Sequence, residues 1–391
     1  MLIIIAELAF IIWLSKKLSN DNSKIKAITL FAIFEQTIIL LVYRINLNTI
    51  NRVVYYSDAE VYWDNTLTLL NGGHLIGSQT GYAYYCMLLQ LVSPFVSVIW
   101  NNISNICLLD CSVLLLAHVM VLGSVSQKNI LLFLRFNLYN SLIIYGLGRN
   151  LKDSLFLFII VVVVYLYCLF KQNKQYLYII PIIALTIFVS TVRPWGFLIM
   201  PILAIDSLIT TKGDNKKHNL LLSCLIIILF LVVLRFTSLW NHVLLWEPIV
   251  MDNAGNLSVS EMIAAPLKIL TGPGPLRSIF GKEYFQFYTV SGNVFCFFGA
   301  FMWWIALSIF IDNYNKLTIT GNNYVIILLC LLFILIYSMQ YGGSLELRFR
   351  GVIYVLFSSA YISLLASNYR ITYRSIISFV VISFVGTIFS F

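Results

Sequence analysis

The chain has 391 residues, 60% of them hydrophobic and 10% charged, with a formal net charge of +9 and a mean hydropathy of +0.90. A soluble domain of this length cannot bury so much apolar surface, so hydrocarbon is the expected solvent. Inside lipid every backbone amide must be satisfied within its own segment, and these apolar runs lack strand alternation, which points to helices and excludes a barrel.

The apolar runs fall near 2–14, 27–43, 82–100, 105–123, 130–147, 154–170, 176–192, 196–210, 219–235, 291–311, 324–339, 351–366 and 375–391. Several are shorter than the ~20 residues of a full span. Residues 1–14 lack the basic n-region and clear cleavage site of a signal peptide and read as a first helix. The expected fold is all-α, a polytopic transmembrane helix bundle forming a single integral membrane domain over 1–391. Residues 44–81 and 236–290 are its long external loops. Such a chain suits a bacterial inner membrane, with the lipid bilayer as its first partner.

Lysine-rich loops fix the orientation. Lys16, Lys17, Lys24 and Lys26 crowd 15–26, and Lys212, Lys216 and Lys217 crowd 211–218. Lys171 with Lys174, and Arg370 with Arg374, mark two more loops. The positive-inside rule places all four in the cytoplasm. It also accounts for most of the net charge without a nucleic-acid partner. The turns 148–153, 193–196 and 340–350 then share the external face with the two long loops. Three apolar runs separate residue 81 from residue 149, and both positions come out external, so one run cannot cross. The run 130–147 holds Arg135, Asn137 and Asn140 and is expected to be re-entrant or interfacial. About twelve crossings remain, with both termini outside.

The chemically capable residues gather on that external face. The first loop carries Asp58, Glu60 and Asp64 among Tyr55, Tyr56, Tyr62 and Trp63, then runs to Asn71-Gly72-Gly73-His74. A carboxylate there can act as general base on a sugar hydroxyl; a solvated loop with an aromatic belt would look the same. The turn Gly148–Asp153 adds Arg149, Lys152 and Asp153, and Arg193-Pro194-Trp195-Gly196 adds another arginine. Glu346, Arg348 and Arg350 lie in a later turn, and Arg277 follows the stiff Gly272-Pro273-Gly274-Pro275. External cations run against the positive-inside bias, and an anionic ligand is one reason for them. Arginine suits phosphate because its planar fork donates two parallel hydrogen bonds. Lipid headgroups, or pairing with Asp153 and Glu346, are the plainer reasons. Together these residues describe a direct displacement: arginines hold the phosphate of a polyprenyl-linked sugar while a carboxylate activates the acceptor.

Other signals are weak. The four histidines show no metal-ligand spacing, and His118, inside an apolar run, reads as a core residue. The seven cysteines read as small apolar fillers. Glu7, Glu35, Asp110 and Asp206 either line a path or bond helix to helix. The stretch Phe295, Phe297, Phe298, Trp303, Trp304 reads as lipid or packing surface. No Walker A, G-x-G-x-x-G or G-x-S-x-G pattern is present.

Ser57-Asp58-Ala59-Glu60-Val61-Tyr62, followed by Leu69-Leu70-Asn71-Gly72-Gly73, resembles the first external loop of the GT-C superfamily of membrane glycosyltransferases. Arg193-Pro194-Trp195-Gly196 resembles that family's RPxG-like helix start, and Arg348-Phe349-Arg350 its later RxR-like turn. The resemblance implies Asp58 as base, with Glu60 beside it. It implies the external arginines Arg149, Arg193, Arg277, Arg348 and Arg350 as donor-phosphate ligands; the loops themselves add Lys152, with Asp153, Glu346, His74 and Tyr62 as supporting residues. Two helices precede the acidic loop where many GT-C enzymes have one, and the chain is expected to close on a helix at Phe391. Length, helix number and the loop 236–290 also resemble Wzy-type O-antigen polymerases, which transfer a lipid-linked glycan onto another repeat unit. The expected activity is glycosyl transfer from a polyprenyl-(pyro)phosphate donor, most in keeping with a repeat-unit polymerase. A single-sugar GT-C transferase and a lipid-linked glycan flippase or transporter are the alternatives. A divalent metal is left open as cofactor. A chain-length regulator is a candidate partner.

Overall fold

The computed structural model describes residues 1–19, 23–49, 52–54, 57–75, 80–210, 216–235, 259–272, 290–317, 324–341, 347–366, 369–370 and 372–388. Arg277 and Glu346 lie outside them. The described chain is helical, with a single isolated bridge between Leu317 and Leu365. Val98–Leu122, Ser23–Thr49, Asp153–Asn173 and Asn293–Asp312 are each long and apolar enough to cross a membrane. Shorter apolar helices surround them, and a bent pair, Gln127–Leu138 with Ser141–Leu147, passes the same test as one unit. Large hydrophobic side chains such as Phe31, Phe34 and Leu41 stand exposed along the outside. The chain is therefore a helical membrane bundle: apolar surface faces outward because lipid, not water, meets it.

In chain order the bundle opens with α1 (Leu2–Leu18) and α2 (Ser23–Thr49), followed by the short α3 (Ser57–Leu70) and α4 (Gly81–Leu91). The central helix is α5 (Val98–Leu122), about 37 Å long at 1.5 Å per residue and buried along most of its length. Next come α6 (Gln127–Leu138), α7 (Ser141–Leu147) and α8 (Asp153–Asn173). After them run α9 (Ile179–Val192), α10 (Ile199–Thr210), α11 (Lys216–Arg235) and α12 (Val259–Thr271). The last four are α13 (Val290–Asp312), α14 (Tyr324–Tyr341), α15 (Leu347–Leu364) and α16 (Tyr373–Ile388).

Contacts sort the molecule into two ends. At the lysine end His118 meets the Leu14 carbonyl at 3.1 Å, Lys128 Nζ donates to the Tyr369 carbonyl and Lys171 pairs with Asp206 at 2.8 Å. His118 is thus a core residue bonding helix to helix, and so is Asp206. At the other end the Met1 ammonium donates to the Val92 carbonyl, and Asn102 Nδ2 to the Gly148 carbonyl.

One expectation about the middle of the chain changes, and a second gains detail. The run 82–100 is not one helix. It breaks after Leu91, where Ser93 and Pro94 interrupt the pattern and Gln90 bonds both the backbone N–H and the carbonyl of Ser97. Ser97 then caps α5. Because Tyr82 and Gln90 reach Asn105 and Asn101 respectively, both within the first turns of α5, α4 stays at one end. The run 130–147 is bent by 55°, a geometry that fits either a broken span or a re-entrant segment. It follows α15 along its whole length: Gly351 faces Leu147, Ser358 bonds Asn137, and Asn129 donates to the Leu365 carbonyl. The bend at Tyr139–Asn140 is stabilised from three sides. Asn140 Oδ1 accepts from Leu142 N and Ile143 N, Asn140 Nδ2 donates to the Gly299 carbonyl, and Gln36 Nε2 donates to the Leu138 carbonyl. A Cβ at Gly299 would strike Leu142, so only glycine lets α13 approach here.

The loop 236–290 also holds more structure than expected. Its described residues 259–272 include α12, whose last turn lies beside α15. Lys268 O accepts from Arg350 Nη1 at 2.6 Å, and four residues further on Gly272 O accepts from Tyr354 OH. Trp303 and Trp304 each donate an indole N–H at 2.7 Å, to Leu270 O and Thr271 O. Carbonyls at a helix C-terminus lack intrahelical partners, and here buried side chains supply them. The two tryptophans are therefore buried hydrogen-bond donors, while Phe298 remains exposed.

Candidate functional site

The site begins with a row of asparagines. Asn101, Asn102 and Asn105 occupy one face of α5 near its start, all buried. Residues one turn apart share a helix face, so their amides reach one target, the turn Gly148–Asp153. Asn102 Nδ2 donates to Gly148 O at 2.9 Å, and Asn105 Nδ2 donates to Arg149 O at 2.5 Å and Leu151 O at 3.1 Å. Buried backbone carbonyls need such partners. The turn is therefore held from behind, with its cations carried on a fixed backbone.

Asn150, at the centre of that turn, joins three elements. Its Oδ1 accepts from Tyr82 OH at 3.1 Å and from Asn101 Nδ2 at 3.0 Å. Its Nδ2 donates at 2.9 Å to the carbonyl of Ala59, in the first turn of α3. Asp58 and Glu60 flank Ala59, so this one amide ties the acid-bearing helix to the cationic turn. A second tie runs through aromatic rings. Lys152 Nζ stands 5.7 Å from the centre of the Tyr62 ring, within the range of a cation–π contact, and Tyr62 meets Tyr82 edge-on at 5.2 Å.

Asp58 and Glu60 are half-buried, and both lie in the first helical turn, where carboxylates interact favourably with the helix dipole. Glu60 forms an exposed ion pair with Arg52 at 3.0 Å. Asn71-Gly72-Gly73 ends α3: Gly72 takes φ +78°, and Gly73 N–H returns to Thr68 O at 2.9 Å. His74 follows, exposed.

Arg193 belongs to the same end but faces inward. It pairs with Asp153 at 2.5 Å, and both side chains are at most 1% exposed. Its guanidinium lies 5.7 Å from the Phe156 ring centre and 5.5 Å from that of Phe349. Trp195 beside it fills an aromatic cluster with Phe156, Phe333 and Tyr337. Arg350 is fully buried against α12, and Arg149 is buried where its charge reaches Tyr43, Tyr145 and Cys296. Arg348 lies in the first turn of α15, its side chain outside the described residues.

The structure thus brings Asp58, Glu60, Tyr62, Arg149, Lys152, Asp153 and Arg193 to one end of the bundle, with the Arg193 guanidinium over the Phe349 ring. It separates their tasks. Arg193 with Asp153, and Arg350 with the Lys268 carbonyl, hold helices together. His74 and the Glu60–Arg52 pair are exposed, and Asp58 is half-buried. Among the described residues no three potential metal ligands come together.

Comparison with family models, with curated proteins and with solved structures finds no match to this chain.

Three positioning residues went unread in the sequence: Asn150, Asn105 and Tyr82. A signal existed for the asparagines, since Asn101, Asn102 and Asn105 interrupt an apolar run at one-turn spacing. Buried amides of that kind require partners.

Proposed function

We propose that this chain is a membrane glycosyltransferase that uses a polyprenyl-(pyro)phosphate-linked sugar in bacterial surface polysaccharide assembly, as a repeat-unit polymerase of the O-antigen kind. The observation that carries this reading is the Asn150 amide, which couples the acid-bearing turn of α3 to the cationic turn 148–153 at the end away from the lysines. A donor phosphate needs cations, an acceptor hydroxyl needs a base, and direct displacement needs both on one surface.

In this reading Asp58 takes the proton of the acceptor hydroxyl. The hydroxyl oxygen attacks the anomeric carbon, the bond from that carbon to the phosphate oxygen breaks, and the electron pair leaves on the phosphate. Arg149 and Lys152 offset the charge that develops there. Glu60 and Arg52 border the acceptor side.

The topology fitting this reading has about twelve crossings: α1, α2, α5, the α6–α7 pair, α8 to α11 and α13 to α16. α3, α4 and α12 do not cross. Both termini and the site then face the periplasm, and the lysines face the cytoplasm.

The lipid-linked glycan profile of a deletion strain tests the reading. Accumulated single repeat units support the polymerase, and a truncated repeat supports the second reading, a single-sugar transferase, which the early acidic helix α3 favours. Complete glycan trapped on the cytoplasmic side, or an unchanged profile, contradicts glycosyl transfer.

A further inference from the structure

A groove of about 320 Å³ opens between α1, α2 and α5, at the lower end of the range for ligand pockets. Its walls are mostly apolar, with Leu8, Ile33, Leu40, Ile103 and Ile106 among them. Gln36 and Asp110 form its floor, bonded to one another at 2.8 Å. Leu41 lines it and is itself 59% exposed, on the same helix as exposed Phe34, Ile38 and Ile45. The groove is therefore open sideways, where the bundle meets lipid.

Its upper mouth is not apolar. Arg44, Tyr43 and Asn102 line it there. Arg44 is anchored by Nη1 to the Val53 carbonyl at 2.9 Å, and Arg52, the residue before Val53, pairs with Glu60. Asn102 bonds Gly148, Ile106 packs on Gly148, and the Arg149 charge reaches Tyr43. The groove thus ends at the turn that carries Arg149 and Lys152.

We propose that this groove holds the first part of the isoprenoid chain of a polyprenyl phosphate, with the phosphate at its Arg44 mouth. The inference rests on the glycosyl-transfer reading and adds a place for the donor's lipid. A sideways opening admits an occupant from the bilayer and not from water. An apolar wall fits a hydrocarbon chain, and Arg44 at the mouth complements an anionic head. The mouth adjoins the turn that Asn150 ties to the Ala59 carbonyl, one residue from Asp58, so a chain seated here delivers its phosphate toward the acid-bearing helix.

The test is binding of undecaprenyl phosphate to the full-length protein in nanodiscs, read by native mass spectrometry or by quenching of a labelled analogue. Leu40→Trp and Ile103→Trp fill the groove, and Arg44→Gln removes charge at its mouth without adding bulk. Each variant is compared with wild type for monodispersity and melting. At least tenfold weaker binding in Arg44→Gln and in one correctly folded groove-filling variant is the expected result. Unchanged binding in these folded variants overturns the location, even if glycan extension still requires Asp58. Equal displacement of the probe by phosphatidylglycerol also overturns it, by showing a site for any anionic lipid. Loss of glycan extension on replacing Asp58, with no binding change, separates failure of the groove from failure of the glycosyl-transfer reading.

Discussion

Asn150 donates its side-chain amide to the carbonyl of Ala59 across 2.9 Å, and so fixes where the acid-bearing helix stands relative to the cationic turn. The same side chain accepts from Tyr82 and Asn101, so it is held while it holds α3. Substituting Asn150 by Ala leaves buried partners unsatisfied, at about 1–3 kcal/mol each. The expected outcome is a lower melting temperature in detergent. In the protein that remains folded, kcat for glycan extension falls while KM for the lipid donor changes little, because Arg149 and Lys152 lie on the turn itself. A KM increase with kcat unchanged would make Asn150 a donor-site residue instead.

Asp58 differs because it is half-buried at a helix N-terminus. Asp58→Asn, which keeps the side chain's shape, is expected to abolish extension while the protein still folds and reaches the membrane. Membrane yield and melting check the second part, and glycan ladders check the first. Full activity would remove Asp58 from the mechanism.

Arg193 and Asp153 form a buried ion pair, and their substitutions are expected to act on folding. Removing one partner of such a pair strands the other charge, at about 3–5 kcal/mol. Arg193→Ala should therefore lower melting temperature and membrane yield together. Arg193→Met combined with Asp153→Leu should recover much of the loss, since it strands neither charge. A single variant that melts like wild type yet loses donor binding would return Arg193 to the phosphate site.

The helix α12 depends on donors from other elements. Trp304→Phe removes the N–H that reaches Thr271 O, leaving a buried carbonyl short of a partner at a cost of about 1–3 kcal/mol. Hydrogen exchange by mass spectrometry should then show faster exchange within 259–272 and little change in α5. Unchanged protection of 259–272 would mean that Arg350 and Tyr354 suffice.

Much of this was legible in the chain, for physical reasons that differ by residue. Apolar runs announced most of the helices because lipid imposes one rule on every exposed turn. The clustering of Asp58, Arg149 and Arg193 at one end followed from loop parity and the lysines. The direction of each side chain did not. Arg193 and Arg350 read as free cations, because sequence position shows a helix end but not the carbonyls or carboxylate packed behind it. Asn150 read as one more polar turn residue, since its partners on α3, α4 and α5 are distant in sequence. The buried asparagines show the same limit. Asn137 and Asn140 interrupt an apolar run, and their partners, Ser358 and the Gly299 carbonyl, are distant in sequence. The break at Ser93 and Pro94 carried a plainer signal.

The most direct measurement is cysteine accessibility in intact cells, with a membrane-impermeant maleimide applied to single substitutions at Glu60, His74, Lys128 and Lys174. Glu60→Cys and His74→Cys should label from the periplasm, and Lys128→Cys and Lys174→Cys only after the inner membrane is opened. Labelling of Glu60→Cys and Lys174→Cys from the same side would contradict the account.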